Sequence, residues 1–148
     1  MGIMKKPLEG IKVLELGNFV AAPFVGKIFG EFGAEVIKVE DPEKGDSLRN
    51  WRVMHHDTSV WWYVHARNKK SITINLREEA GQEMIRELAK EVDVVIENFR
   101  PGTLERWGIG YEDLKPGDSR TFHVFDPATM AQRPVRVVVL TEETIPIM

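Results

Sequence analysis

Apolar and polar positions follow two alternating periods along the first hundred residues. The runs IKVLEL (11–16) and AEVIKVE (34–40) are short, rich in branched residues and bounded by turn formers, the pattern of buried strands. Between them GNFVAAP reads as a loop and FVGKIFGEFG as a helix. Val25, Ile28, Phe29 and Phe32 recur at helical spacing, Pro23 suits the first turn, and Gly33 suits a C-terminal cap. Such short connections join parallel strands through a right-handed crossover. SITINL (71–76) predicts a third strand. REEAGQEMIRELAKE predicts a helix with Met84, Ile85, Leu88 and Ala89 on its apolar face, and Asn75 with Glu78 has capping-box spacing. VDVVIEN (92–98) is apolar nearly throughout, as a strand covered on both faces should be. The expected architecture is a doubly wound parallel α/β sheet, whose ligands bind outside the carboxyl ends of the strands. Asn18, Phe19, Glu40, Asn98, Phe99 and Arg100 are expected at that edge.

Two segments break the alternation. Residues 41–70 hold three of the four tryptophans, three of the four histidines and six Lys/Arg. A connection of that length is usually functional or disordered, and Trp51, Trp61, Trp62 and Tyr63 argue for packing rather than disorder. Past residue 115 the helical period disappears, and RTFHVF and VRVVVL predict an antiparallel hairpin, on the sheet edge or as a small appendage. The chain is accordingly divided into residues 1–115, the α/β unit, and 116–148, a hairpin tail.

Composition narrows the function. A chain of 148 residues fits one ordinary domain, able to bury roughly two-thirds of its unfolded surface. The net charge of −3, without acidic or basic blocks, gives no sign of a nucleic-acid partner. With no cysteine, a thiolate metal site and a cysteine nucleophile are excluded, and a reducing compartment is the expectation. MGIMKKPLEG has no apolar run behind its basic pair, and no stretch approaches the ~20 residues of a membrane span; the expectation is a soluble cytoplasmic protein. His55 and His56 are adjacent, a poor spacing for a metal pair, so no metal is expected. No G-x-S-x-G nucleophile motif is present.

PLEGIKVLELG, the following Ala-Ala-Pro, FGAEVIKVEDPEKGDSLR, ARNKKSITINL and VDVVIENFRPGTLERWGIGYEDL resemble, in order and spacing, the N-terminal part of the family III CoA-transferases. That family includes formyl-CoA transferase, carnitine CoA-transferase and the 2-methylacyl-CoA racemases. The resemblance covers roughly residues 7–114. It implies a Rossmann-like domain that binds coenzyme A at the strand ends, in a homodimer whose chains interlock. It also implies transfer of CoA from an acyl-CoA to a carboxylic acid acceptor. In that chemistry an aspartate attacks the thioester, a mixed anhydride forms, and the returning CoA thiolate leaves an enzyme-bound thioester; racemase relatives instead exchange the proton next to the thioester carbonyl.

Residues at the positions of Ala21, Ile74, Asn98, Phe99 and Arg106 contact CoA in the family. Asn18, Phe19, Val20 and Ala21 stand where formyl-CoA transferase has its His-Val-Gln-Ala loop. Asp41 replaces an arginine often found near the adenine, and Asp46 and Arg49, in GDSLR, match a common family motif; the plainer alternative is that they pair with one another to hold the loop. Read from the residues alone, the phosphates of CoA need guanidinium or ammonium donors, for which Arg100, Arg106, Lys69 and Lys70 are candidates. The segment that supplies the family's nucleophilic aspartate is replaced here by the hairpin sequence. Asp126 is the nearest carboxylate by order, and Asp-Pro is an ordinary turn starter. The expectation is therefore a truncated, CoA-binding part of the family fold with no catalytic residue named. Alternatives are a racemase-type member, a non-catalytic binding or assembly module using Trp61 and Trp62, and an NAD-type dehydrogenase. Glu40 suits the last, but GNFVAAP lacks its glycine pattern.

Overall fold

The structure, a computed structural model, describes residues 5–114, 120–124 and 135–139. Strand β1 (Lys12–Glu15) leads through helix α1 (Ala21–Glu31) into β2 (Glu35–Glu40). The long connection carries a 3₁₀ turn (Ser47–Asn50), a two-residue antiparallel pair β3 (Met54–His55) and β4 (Thr58–Ser59), and helix α2 (Val60–His65). Next come β5 (Lys69–Thr73), α3 (Glu79–Ala89), β6 (Val94–Glu97), and two short helices, α4 (Thr103–Arg106) and α5 (Tyr111–Leu114). Strands β7 (Arg120–Val124) and β8 (Val135–Val139) pair antiparallel, and β8 joins β6. The sheet order is β5-β2-β1-β6-β8-β7, parallel across its first four strands. The expected hairpin thus extends the sheet edge. Asp126 lies outside the described residues.

Alternation along β1 sorts the core to two faces. Val13 joins Val36, Val94, Ile96 and Ala22 beneath α1, while Leu14 joins Val39, Val95, Ile85 and Ala89 beneath α3. β6 is buried at every position, as its apolar sequence requires. Because the chain runs outward from β1 to β2 and β5, then returns to β6 on the other side, the order reverses between β1 and β6. Loops diverge there and leave a crevice at the carboxyl ends of the strands.

Several expectations are corrected. The third strand begins at Lys69 rather than residue 71, because its pairing with β2 starts opposite Val36. The most buried residues of α1 are Ala22, Pro23, Gly26 and Gly30; Val25 and Phe29 pack against the core as expected, whereas Phe32 is exposed, as is Met84 on α3. The Asn75–Glu78 pair is a turn and not a capping box. Asn75 donates to Glu78 Oε1 at 2.9 Å and accepts from the Arg77 amide at 3.1 Å, four residues before the helix begins at Glu79. Gly33 has a φ of +105°, which fits the expected C-terminal cap.

Candidate functional site

The crevice is an inner pocket of about 90 Å³ opening on a groove of about 600 Å³. Asn18, Arg77, Phe99 and Trp107 line both. Ile74, Glu40, Asp41 and Asp46 complete the inner part, and Phe19, Ser47, Asn98 and Arg100 the outer. Phe99 and Trp107 meet edge to face at 5.6 Å and form an apolar wall. Arg77 follows the end of β5 and brings the guanidinium common to both parts, paired with Asp41 at 3.1 Å. Backbone amides of Lys44 and Glu43, then Arg77, hold the Asp41 carboxyl below its ordinary pKa.

Beneath the crevice lies a set of buried charges. Parallel register sets Glu15 beside Lys38, and their ion pair measures 2.9 Å. Lys38 also reaches Asp46 at 2.7 Å, and Lys69 reaches the other Glu15 oxygen at 2.6 Å. Burial works against the charge of Lys38, yet Glu15 and Asp46 outweigh it and raise its pKa; for Lys69 burial prevails and lowers it. Gly26 makes room, since a Cβ there would lie 1.8 Å from Glu15 Oε2. Glu40 takes two hydrogen bonds from Arg49, at 2.7 and 2.8 Å, one from the Asp46 amide and a short one from Ser71. Burial opposes this charge too, but those donors bring Glu40 down to about 2. Arg49 in turn lies 3.8 Å over the Trp62 ring.

The family model for CoA-transferase family III matches residues 8–119. The chain belongs to this family. It is similar to succinyl-CoA–D-citramalate CoA-transferase of Chloroflexus aurantiacus, 56% identical over 110 residues that cover 74% of this chain and 27% of that protein. It is similar also to human succinyl-CoA:glutarate CoA-transferase, 46% identical over 110 residues, covering 74% and 25% respectively. Among solved structures, a CaiB/BaiF family protein of Brucella suis is 42% identical with a TM-score of 0.69, over 75% of this chain and 30% of that one. The chain spans about a quarter of the length of the curated relatives it matches.

Of the residues expected to bind ligand in this CoA-transferase family III chain, Asn18, Phe19, Ile74, Asn98, Phe99 and Arg100 line the cleft. Val20 caps α1 without a side-chain hydrogen bond, and Ala21 begins that helix against the core. Arg106 lies exposed on α4, donating to Thr103 Oγ1 at 3.3 Å, outside the residues that line the cleft. The Asn98 side chain bridges the Asn18 backbone, its Oδ1 accepting from the Asn18 N–H and its Nδ2 donating to the Asn18 carbonyl, each at 2.9 Å. Lys69 and Lys70, the other candidate phosphate donors, do not line the cleft. Both fall at the start of β5 rather than its carboxyl end, where Lys69 serves Glu15 and Lys70 pairs with Glu35. The side chains of Asp46 and Arg49 do not pair with one another, the alternative left open by the sequence; their ion-pair partners are Lys38 and Glu40. Sequence reasoning missed Arg77 and Trp107. Arg77 was accessible to the strand-end rule that selected Asn98, since it directly follows the expected strand SITINL (71–76).

Among the described residues no cluster of His, Asp and Glu could hold a metal, and no helix is long and apolar enough to cross a membrane.

Proposed function

We propose that the cleft binds the coenzyme A moiety of an acyl-CoA, and that the protein moves CoA from that thioester to a carboxylic acid acceptor. One observation carries this reading: a groove with Arg77 and Arg100 on its wall lies at the strand-order reversal of a chain that belongs to CoA-transferase family III. Guanidinium groups suit the phosphates of the nucleotide end, while Phe99 and Trp107 give the pantetheine chain or adenine an apolar surface. The names of the two curated relatives support succinyl-CoA as donor and a dicarboxylic acid as acceptor. Those names also favour transfer over racemisation.

The described residues contribute binding and orientation. The carboxylates of Glu40, Asp41 and Asp46 at the cleft are all held by cations or amides, so none of these three is free to attack a thioester bound there. A dehydrogenase reading is disfavoured by Glu40. Its two oxygens accept four hydrogen bonds, which leaves none for a ribose hydroxyl pair. Exposed Trp61, Tyr63 and Val64 on α2 support assembly as a homodimer, and cytoplasmic placement belongs to the same proposal.

Calorimetric titration with CoA, dephospho-CoA, NAD and ATP tests the reading. CoA is expected to bind tightest, with affinity falling as salt rises because exposed charge contacts are screened. NAD binding as well as CoA would sink it.

A further inference from the structure

The β1–α1 loop is gripped at three successive residues by side chains from elsewhere in the fold. Lys38 donates to the Gly17 carbonyl at 2.9 Å, Asn98 holds both backbone groups of Asn18, and Asp46 Oδ1 accepts from the Phe19 amide at 3.0 Å. Lys69 adds a contact to the Pro23 carbonyl at 2.7 Å, where α1 begins. Phe19 has a φ of +74°, a left-handed backbone that a side chain of this size rarely adopts. Such a residue keeps that conformation only where its surroundings over-determine it, and such positions gather at ligand sites. Phe19 and Asn18 both line the groove.

The charges behind this loop are an expensive way to gain stability. Glu15, Lys38, Asp46 and Lys69 have side chains no more than 2% exposed, and their charges cancel within the set. Apolar residues of the same volume often do as well or better in such a place. What apolar residues cannot supply is directional donors and acceptors for Gly17, Phe19 and Pro23.

We infer that Asp46 and Lys38 are positioning residues for the cleft: Asp46, held by Lys38, keeps Phe19 in its left-handed backbone and so fixes the wall against which ligand lies. This rests on the reading that the cleft binds CoA. Asp46 also accepts from the Leu48 amide at 2.8 Å, so it ties the 3₁₀ turn to the same wall.

The test is a double-mutant cycle between Asp46→Ala and Phe19→Gly, with CoA affinity measured by calorimetry. In the Phe19 background Asp46→Ala is expected to weaken CoA binding by about tenfold or more, the low end of what misplaced strained backbone costs. In the Phe19→Gly background the same change should cost no more than about twofold, because glycine adopts the left-handed region without penalty. Equal losses in the two backgrounds overturn the inference and leave Asp46 with a general structural role. A ligand-free readout separates this from the function itself. The three-bond coupling between the Hα of residue 19 and the preceding carbonyl carbon in labelled protein, large only for positive φ, should report the left-handed backbone in the parent and fall in Asp46→Ala. A Phe19 that stays left-handed without Asp46 overturns the inference whether or not CoA binds. A parent that binds no CoA, yet whose φ at residue 19 follows Asp46, upholds the positioning role and removes the CoA reading alone. Should Asp46→Ala not fold, Asp46→Asn runs the same cycle at smaller amplitude. It keeps an acceptor oxygen but no charge for Lys38, so about threefold is expected with Phe19 and no loss with glycine; equal losses again overturn the inference.

Discussion

Gly26→Ala offers a test of the buried charges in which the usual rule and the structure predict opposite signs. Inside a helix, replacing glycine by alanine ordinarily stabilises by roughly 1 kcal/mol. Gly26 lies within α1, yet its missing Cβ is the space that Glu15 occupies, with Oε2 at 1.8 Å and Lys69 Nζ at 3.2 Å from where that carbon would stand. The obstacle is no flexible surface side chain. Glu15 is fully buried and tied to both Lys38 and Lys69, so moving it disturbs two ion pairs at once. Breaking a buried pair costs about 3–5 kcal/mol. With the helix-propensity gain set against it, the expected net loss is about 2–4 kcal/mol. Gly30, in the same helix, is the internal control: its nearest obstacle is the Asn68 carbonyl at 3.1 Å, a far smaller overlap than the 1.8 Å at Gly26. Urea unfolding of the two variants beside the parent gives the comparison, with the slope m checked for unchanged two-state behaviour. Gly26→Ala as stable as the parent, or no worse than Gly30→Ala, would refute the claim that the charges beneath the cleft are tightly packed.

Arg49→Met should lower stability at neutral pH by roughly 1–3 kcal/mol, because Glu40 is left buried without its main donor. It should also flatten acid unfolding: the Glu40 pKa falls from 4.5 to about 2 on folding, so its contribution is complete above about 4.5 and lost as pH falls toward 2. Unfolding followed across that range would contradict this if parent and variant lost stability in parallel. Arg77→Gln should weaken CoA binding by about tenfold and make its salt dependence shallower, since one guanidinium–phosphate contact disappears. Unchanged affinity would mean that Arg77, about two-thirds exposed, serves Asp41 alone.

What could be read in the chain was whatever one strand or helix decides by itself. The branched runs marked β1, β2 and β6, and the rule that parallel sheets bind ligand at their carboxyl ends selected Asn18, Phe99 and Arg100 before any distance was known. Errors arose where two elements decide together. Phe32 and Met84 have helical spacing for burial, but α1 buries alanine, proline and glycine most deeply, with Val25 and Phe29 packed beside them, and leaves Phe32 exposed, while α3 turns Met84 outward. The start of β5 depends on its partner, not its composition. Opposite Val36 it takes in Lys69 and Lys70, which places these candidate donors at the start of the strand, away from the cleft.

The buried charges show why pattern alone could not reach the rest of the site. Glu15 in VLEL and Lys38 in VIKVE each interrupt an apolar run by one residue, and in isolation either reads as a strand position facing water. The signal was there in combination: a parallel sheet covered on both faces has no wet side for a mid-strand charge, so each must find a buried partner. Register supplies it, setting Glu15 beside Lys38, and the one remaining requirement is a helix thin enough to pass over them, which Gly26 meets. Asp46 then arrives from the loop after β2 to complete the charge balance and reach Phe19. The conserving of charge in the core and the shaping of the cleft wall are therefore one structural fact: the same carboxylate that keeps Lys38 buried keeps Phe19 left-handed, and a change that relieves one must disturb the other.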